Sequence, residues 1–180
     1  MDLQSKGVKL AIGLSNPGTD HENTYHNIGG IFIDFLENKN GKNPTIKKSE
    51  KLFRYSTYPN LILTRTSTFM NESGKAAAAA MKILKIKPEE TILIHDDSDL
   101  KIGESKFSFG RGSGGHKGIE SVIKVAKTKN FWRLRIGIRP ARERIRTKAG
   151  NFVLKKIKTD DKKIFASLFQ KISKENFNGI

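Results

Sequence analysis

The chain has 180 residues, 36% of them hydrophobic, and a formal net charge of +16. This length and apolar content are typical of one domain with a sizeable core, and no apolar run is long enough to span a bilayer. The absence of cysteine excludes disulfides, thiolate metal sites and cysteine nucleophiles. The first residues lack the pattern of a signal peptide, so we expect a cytoplasmic protein.

Strand-like and helix-like segments alternate along the chain, which predicts an α/β fold. Alternating apolar residues predict a strand over residues 8–14, and Asn16-Pro17-Gly18 form the turn that ends it. Apolar residues at helical spacing from Ile28 to Leu36 predict a helix that begins just after His26. The polar residues 38–48 predict a surface loop.

The middle of the chain predicts a mixed sheet. Residues 53–57 and 61–66 have the pattern of an antiparallel hairpin. Ser73 is expected to cap a helix that ends at Leu84. Residues 91–95 are mostly apolar, which is typical of a central strand.

The remaining segments continue the alternation. Residues 102–109 are predicted as a strand, 110–118 as a glycine-rich loop and 119–126 as a helix. Residues 132–138 are predicted as a strand, 152–154 as a short strand and 160–174 as the final helix. We therefore expect one domain over residues 1–180, with a mixed, mostly parallel sheet flanked by helices in three layers.

The positive charge is concentrated near the carboxyl terminus. Residues 111–180 contain 19 lysines and arginines against 5 acidic residues, so their net charge is +14, which leaves +2 for residues 1–110. A polyanion lying across one side of the protein would be attracted to such a surface, since each neutralised phosphate releases counterions. A nucleic acid is the expected partner, although solvated basic faces and proteins that bind anionic membranes share this charge pattern.

Polar groups follow two predicted strands at their carboxyl ends, where open α/β sheets bind their ligands. Asn16 follows the first strand, and the acidic run from Asp96 to Asp99 follows the strand over residues 91–95. His26 is expected at the first turn of the next helix, beside the same crevice.

Common catalytic signatures do not account for these residues. The glycines from Gly110 to Gly115 match a dinucleotide-binding fingerprint by spacing, but Arg135 stands about where the ribose-binding acid should be. The sequence has no nucleotide phosphate-binding loop and no paired histidines at the spacing of a zinc protease. The glycines predict a loop near phosphate.

Six short motifs occur in an order and spacing that are specific when taken together: Asn16–Gly18, Thr24–Gly29, Thr68–Gly74, His95–Leu100, Gly112–His116 and Leu134–Ile138. In these motifs, residues 8 to about 155 resemble bacterial peptidyl-tRNA hydrolase. The resemblance implies an enzyme that cleaves the ester between a peptide and the 3′ ribose of tRNA, and so recycles tRNA from peptidyl-tRNA that ribosomes release prematurely. It also implies a single α/β domain, usually monomeric, that requires no metal or other cofactor.

The resemblance assigns roles that fit ester hydrolysis. His26 would be the base that activates water, and Asp96 would orient it, as the acid of a hydrolase triad does. Asn16 and Asn71 would bind substrate carbonyls or the ribose and donate to developing negative charge, while Met70 would line the cleft. From the residues alone, Asp97 and Asp99 remain alternatives to Asp96.

Further contacts are expected with the substrate. His116 and Lys117 are candidates for substrate binding, and Lys106, Arg111 and Arg133 are candidates for tRNA phosphates. Lys117 departs from the family, which commonly has asparagine there, and we expect activity to be retained with an altered pH dependence. His21 also departs from the family, which usually has there a tyrosine whose ring would stack on the terminal adenine.

Two functions from other classes compete with this interpretation. One is a non-catalytic RNA-binding protein of the same fold, which the lysine at position 117 makes conceivable. The other is a metal-dependent nuclease that would use Asp96, Asp97 and Asp99 as oxygen ligands for magnesium. Retention of both His26 and Asp96 favours the hydrolase.

Overall fold

The computed structural model describes residues 2–39, 44–140, 150 and 152–177. Its helices are α1 (Ile28–Lys39), α2 (Ser73–Leu84), α3 (Lys117–Ala126) and α4 (Thr159–Asn176). Its strands are β1 (Leu10–Gly13), β2 (Ile46–Ser49), β3 (Phe53–Thr57), β4 (Ile62–Thr66), β5 (Thr91–Lys101), β6 (Ser105–Phe109) and β7 (Trp132–Arg139). Short 3₁₀ turns over Tyr25–Asn27 and Met70–Glu72 lead into α1 and α2.

The strands form one sheet in the order β2-β3-β4-β1-β5-β7-β6. The four inner strands β4, β1, β5 and β7 are parallel. Antiparallel pairing adds β3 and β2 on one side and β6 on the other. Because parallel strands end at the same edge, the segments that follow β1 and β4 meet the outer part of β5 at that edge.

Apolar side chains cover both faces of the sheet, so the fold has three layers. On one face, residues of α1 and α4 such as Phe32 and Phe169 pack with Ile94 and Ile136. On the other face, residues of α2 and α3 pack with Ile12 and Leu93. Burial on both faces explains why the inner strands are rich in branched apolar residues.

Two glycines allow α1 to lie directly on the central strands. A Cβ atom at Gly13 would lie 2.4 Å from the Gly29 carbonyl oxygen, and one at Gly29 would lie 2.1 Å from the Ile94 carbonyl oxygen. Both distances are far inside van der Waals contact with backbone. The start of α1, which follows His26, can therefore approach β1 and β5 only without side chains at these positions.

The expected fold class is confirmed: the described residues form a mixed sheet, mostly parallel, flanked by helices. The predicted hairpin is β3 and β4, paired antiparallel. No helix in the described ranges has the length and apolar character needed to cross a membrane.

Four local predictions were wrong. The strand predicted to end at His95 continues to Lys101, so Asp96 lies inside β5, paired with Ile136 of β7. Part of the predicted loop over 38–48 is β2, whereas residues 40–43 lie outside the described residues.

The other two concern a turn and a cap. Residues 152–154 form a turn instead of a strand. Ser73 is the buried first residue of α2 and contacts the Met70 sulfur, so it does not cap the helix.

We predict that Gly29→Ala lowers the free energy of unfolding by about 3 kcal/mol. Alanine would favour the helix by about 1 kcal/mol over glycine, but overpacking against the Ile94 backbone outweighs that gain. Urea denaturation measures the change. Gly112→Ala is the matched control, because no atom lies within 4 Å of a Cβ there; equal stability of the two variants would contradict the close contact.

A candidate active site at the carboxyl edge of the sheet

A cleft of about 1110 Å³ opens at the edge of the sheet where the inner strands end. The segments after β1 and β4, the outer part of β5 and the glycine-rich loop before α3 form its walls. Its lining includes Asn16, His26, Met70, Asn71 and Asp96, which the sequence assigns to catalysis and substrate binding. Lys106, Arg111, Arg133, His116 and Lys117 line it too.

A buried carboxylate holds two imidazole rings in the floor of the cleft. Asp96 Oδ1 lies 2.8 Å from His26 Nδ1 and 2.9 Å from His116 Nε2. Asp96 is 3% exposed. The strand, the turn before α1 and the start of α3 thus meet at a single oxygen atom.

The remaining bonds of His116 fix its tautomer. Its Nδ1 accepts from the backbone N–H groups of Gly118 and Ile119, at 3.1 and 3.3 Å, and so caps helix α3. Nε2 must then carry the hydrogen that Asp96 accepts. Both ring nitrogens of His116 therefore have partners within the protein, and its contact with substrate stays a prediction.

His26 is bound on one side only. When Nδ1–H donates to Asp96, Nε2 is the unprotonated nitrogen, and no described residue binds it. The His26 side chain is 12% exposed and lines the cleft. This is the geometry of a base that can accept a proton from a water in the cleft.

Electrostatics keep Asp96 ionised. Burial by itself would raise the pKa of its carboxyl group. Attraction to His116 and His26, together with their two hydrogen bonds, outweighs the burial and holds the pKa of Asp96 well below its usual range. The carboxylate can therefore stabilise positive charge on the His26 ring.

His95 packs behind this group as a neutral ring. Burial lowers its pKa well below the usual range, and the nearby His116 adds to the effect. Its Nδ1 lies 2.7 Å from the Asp96 carbonyl oxygen, and its ring meets that of His116 edge-on with 4.6 Å between centroids. The contact limits the positions that His116 can adopt.

Asn27 joins the His26 turn to the segment after β1. Its side-chain oxygen accepts from the Asn16 N–H at 2.8 Å, and its amide nitrogen donates to the Asn16 carbonyl at 2.9 Å. Asn27 is fully buried. Sequence reasoning missed this residue, although it directly follows His26 in a matched motif.

The Asn16 side chain is oriented by the turn before α2. Its Oδ1 accepts from the Met70 N–H at 2.7 Å, so Nδ2 is the free end of the amide. Nδ2 can only donate, which suits a substrate carbonyl or a developing oxyanion. Asn71 also lines the cleft, is exposed, and has no hydrogen-bond partner in the described part of the chain.

The predicted phosphate contacts divide into two groups. Lys106, Arg111 and Lys117 are exposed at the cleft. Arg133 is only 4% exposed, and its guanidinium has no hydrogen-bond partner among the described residues, so it is available to a group that enters the cleft.

The acidic run does not converge on one point. Asp97 binds Arg135 at 2.5 Å and accepts from the Asp99 N–H at 2.8 Å, whereas Asp96 binds the two histidines. Among the described residues, the ligand atoms close enough to share a metal ion are those of His26, Asp96 and His116, which lie within 4.8 Å of one another. The three-carboxylate magnesium site of a nuclease is not supported by this geometry.

Comparison with known proteins gives a consistent result. The family model for peptidyl-tRNA hydrolase matches residues 10–176. The peptidyl-tRNA hydrolases of Yersinia pestis and Coxiella burnetii are each 40% identical, over 73% and 74% of this chain and 69% and 71% of their own lengths. The crystal structure of peptidyl-tRNA hydrolase from Acinetobacter baumannii superposes with a TM-score of 0.77 at 29% identity, covering 92% of this chain and 84% of that one.

We predict that Asn27→Asp lowers the free energy of unfolding by about 3 kcal/mol. The new carboxylate would be buried and would face the Asn16 carbonyl without a hydrogen to donate. Urea denaturation at neutral pH compares it with Asn60→Asp, the same change at an exposed hairpin position. Similar losses in both variants would show that the Asn27 bridge contributes little.

Proposed function

Because the chain belongs to the peptidyl-tRNA hydrolase family, whose members are enzymes, we propose that it hydrolyses the ester of peptidyl-tRNA with a water activated by His26. The products are a free peptide and a tRNA with an intact 3′ ribose. We assign to it the recycling of tRNA from peptidyl-tRNA that ribosomes release prematurely. The observation that supports this most is the free Nε2 of His26 in the cleft, opposite a hydrogen bond to ionised Asp96.

In the first step, His26 Nε2 takes a proton from water as the oxygen attacks the ester carbonyl. Asp96 accepts the hydrogen of Nδ1, keeps the ring in the tautomer with a free Nε2, and stabilises the imidazolium that forms. Water thus takes the place of a side-chain nucleophile. The result is a tetrahedral intermediate with negative charge on the former carbonyl oxygen.

Neutral amides stabilise that charge. Asn16 presents Nδ2 because Met70 holds its Oδ1, and exposed Asn71 offers a second amide in the same cleft. Donors held in place before the reaction need no reorganisation as charge develops. Met70, which is 4% exposed, forms an apolar wall beside them.

The intermediate then collapses and the bond between the acyl carbon and the 3′ oxygen breaks. The imidazolium of His26 returns its proton to that oxygen, which leaves as the ribose hydroxyl. His116 supports both steps without touching the substrate, since its donation to the shared Asp96 oxygen limits rotation of the carboxylate. His116 is therefore assigned as a positioning residue.

The tRNA is bound through its phosphates. Lys106 and Arg111 supply exposed cations at one side of the cleft, and Arg133 meets a phosphate that enters it. Lys117, at the first position of α3, donates to a phosphate or a carbonyl of the substrate. We also propose that the protein acts as a monomer in the cytoplasm, where ribosomes release their products.

Incubation with an N-blocked aminoacyl-tRNA, with and without a chelator, tests the reaction. We expect ester cleavage that the chelator leaves unchanged and that falls by roughly 10²- to 10⁴-fold in His26→Ala, since the general base is lost. Gel electrophoresis of the same samples shows whether the tRNA stays intact. Binding without cleavage would instead indicate an RNA-binding protein, and chelator-sensitive breakdown of the tRNA would indicate a nuclease.

Two aspartate variants, measured in the same assay, test the role of Asp96. Asp96→Asn should lower kcat by roughly 10³- to 10⁴-fold with little change in KM, because the tautomer of His26 is no longer fixed. Asp99→Asn, three residues along the same strand, should retain wild-type kcat. Equal loss in both variants would argue against Asp96 as the orienting group.

The salt dependence of KM tests the phosphate contacts. Lys106→Met and Arg111→Met should each reduce the slope of log KM against log salt concentration by about 1 and leave kcat unchanged. Lys47→Met is the control, since Lys47 is exposed on the edge strand β2 at the far side of the sheet. Slopes equal to that of the control would remove these two residues from the tRNA surface.

A further inference from the structure

The Lys156 ammonium group closes a turn at the mouth of the cleft. Its Nζ lies 3.2 Å from the Thr19 carbonyl oxygen, 2.9 Å from that of Asp20 and 2.7 Å from that of Glu22. An ammonium group has three hydrogens to donate. All three therefore have acceptors in the protein, so Lys156 has no donor left for a phosphate.

The main-chain hydrogen bonds within the turn are long, although Thr24 Oγ1 also donates to the His21 carbonyl at 2.9 Å. His21 N–H donates to the Gly18 carbonyl at 3.2 Å, Glu22 N–H to the Thr19 carbonyl at 3.2 Å, and Thr24 N–H to the His21 carbonyl at 3.3 Å. The turn also begins at Gly18 and ends at Asn23 with positive φ angles of 88° and 56°. The Lys156 ammonium adds three charge-assisted hydrogen bonds to the turn, a class of bond roughly twice as strong as a neutral one.

The turn carries one side of the cleft entrance. His21 lines the cleft and meets the ring of Phe69 edge-on, with 6.1 Å between the centroids and 88° between the planes. Phe69 is 53% exposed, so the pair presents an aromatic surface to anything that enters. We name His21 and Phe69 the rim pair.

The segment that contains Lys156 also holds the catalytic turn. His26 N–H donates to the Val153 carbonyl at 2.8 Å, Tyr25 N–H to the Lys155 carbonyl at 3.2 Å, and Ile157 N–H to the Asn23 carbonyl at 2.7 Å. These main-chain bonds fix His26 independently of the Lys156 side chain. Loss of the ammonium group should therefore disturb the rim pair and spare the base.

We propose that Lys156 is a positioning residue that holds the rim pair in place for binding of the 3′ end of the substrate. The role rests on the proposed hydrolase function, since the rim pair lines the same cleft as His26, where the end of tRNA that carries the ester would bind. Lys156 acts on substrate binding through the turn and makes no contact with the nucleic acid itself. Its effect is therefore on KM, independent of salt.

Steady-state kinetics of Lys156→Met with an N-blocked aminoacyl-tRNA test this role. We expect KM to rise roughly five- to tenfold with kcat within twofold of wild type, because hydrogen bonds from a charged donor are lost only at the rim. The slope of log KM against log salt should stay at the wild-type value, whereas a lost phosphate contact would reduce it by about 1. Lys156→Arg should restore most of the affinity.

Two further variants complete the design. Lys155→Met removes the same charge from the neighbouring exposed residue, whose side chain has no hydrogen bond in the described ranges, and should leave KM near wild type at a fixed salt concentration. His21→Ala combined with Lys156→Met should give the KM of His21→Ala alone, since both changes act on one surface. Additive effects, or a reduced salt slope, would overturn the proposal.

A readout without substrate separates this proposal from the hydrolase function. Nuclear magnetic resonance of the His21 ring should show line broadening or averaged shifts in Lys156→Met and wild-type signals in Lys155→Met. Unchanged His21 signals in both variants would refute the positioning role even if the ester is cleaved. If wild-type protein cleaves no ester, the hydrolase assignment fails while the His21 signals still report on the turn.

Discussion

The buried carboxylate of Asp96 is the constraint on which the rest of the site depends. Removing an ionised carboxylate from water costs several kcal/mol unless donors compensate it. Two imidazole N–H groups do so here at 2.8 and 2.9 Å. Each ring must then be held by its own backbone context, which makes the turn before α1 and the start of α3 parts of a single unit with β5.

Parallel strands and two glycines bring Asp96 and its partners together. The inner strands end at one edge, so residues distant in sequence reach the same cleft. Gly13 and Gly29 let α1 approach the sheet closely enough for the turn over Tyr25–Asn27 to lie above Asp96. Asn27 then ties that turn to Asn16 with two buried hydrogen bonds. Close packing and hydrogen bonding therefore orient His26 and the Asn16 amide together.

Sequence periodicity predicted the helices and strands whose apolar pattern is strong. It did not predict the part of a strand that consists of polar residues. The helix after His26 was predicted from the spacing of its apolar residues, and the hairpin and the other three helices were also predicted, although the cap expected at Ser73 was wrong. The run from Asp96 to Asp99 has the composition of a loop, yet it continues β5 because β7 pairs with it and Arg135 compensates Asp97. No local pattern marks such tertiary partners. The bonds of His116 to the start of α3 and to Asp96 were missed for the same reason.

The start of α3 shows a conflict between local and functional requirements. The positive end of a helix dipole disfavours a cation, yet Lys117 occupies the first helical position, and Glu120 is the acidic residue in that turn. Lys117 is exposed and faces the cleft, so it adds to the positive charge that Lys106, Arg111 and Arg133 already bring there. A residue in a cleft that is unfavourable for local structure, as a cation is at a helix start, is usually there to bind the ligand. Under the proposed function, a substrate that carries a phosphate near its ester would supply the missing negative charge, so we expect the departure at Lys117 to act on tRNA binding and not on the stability of the helix.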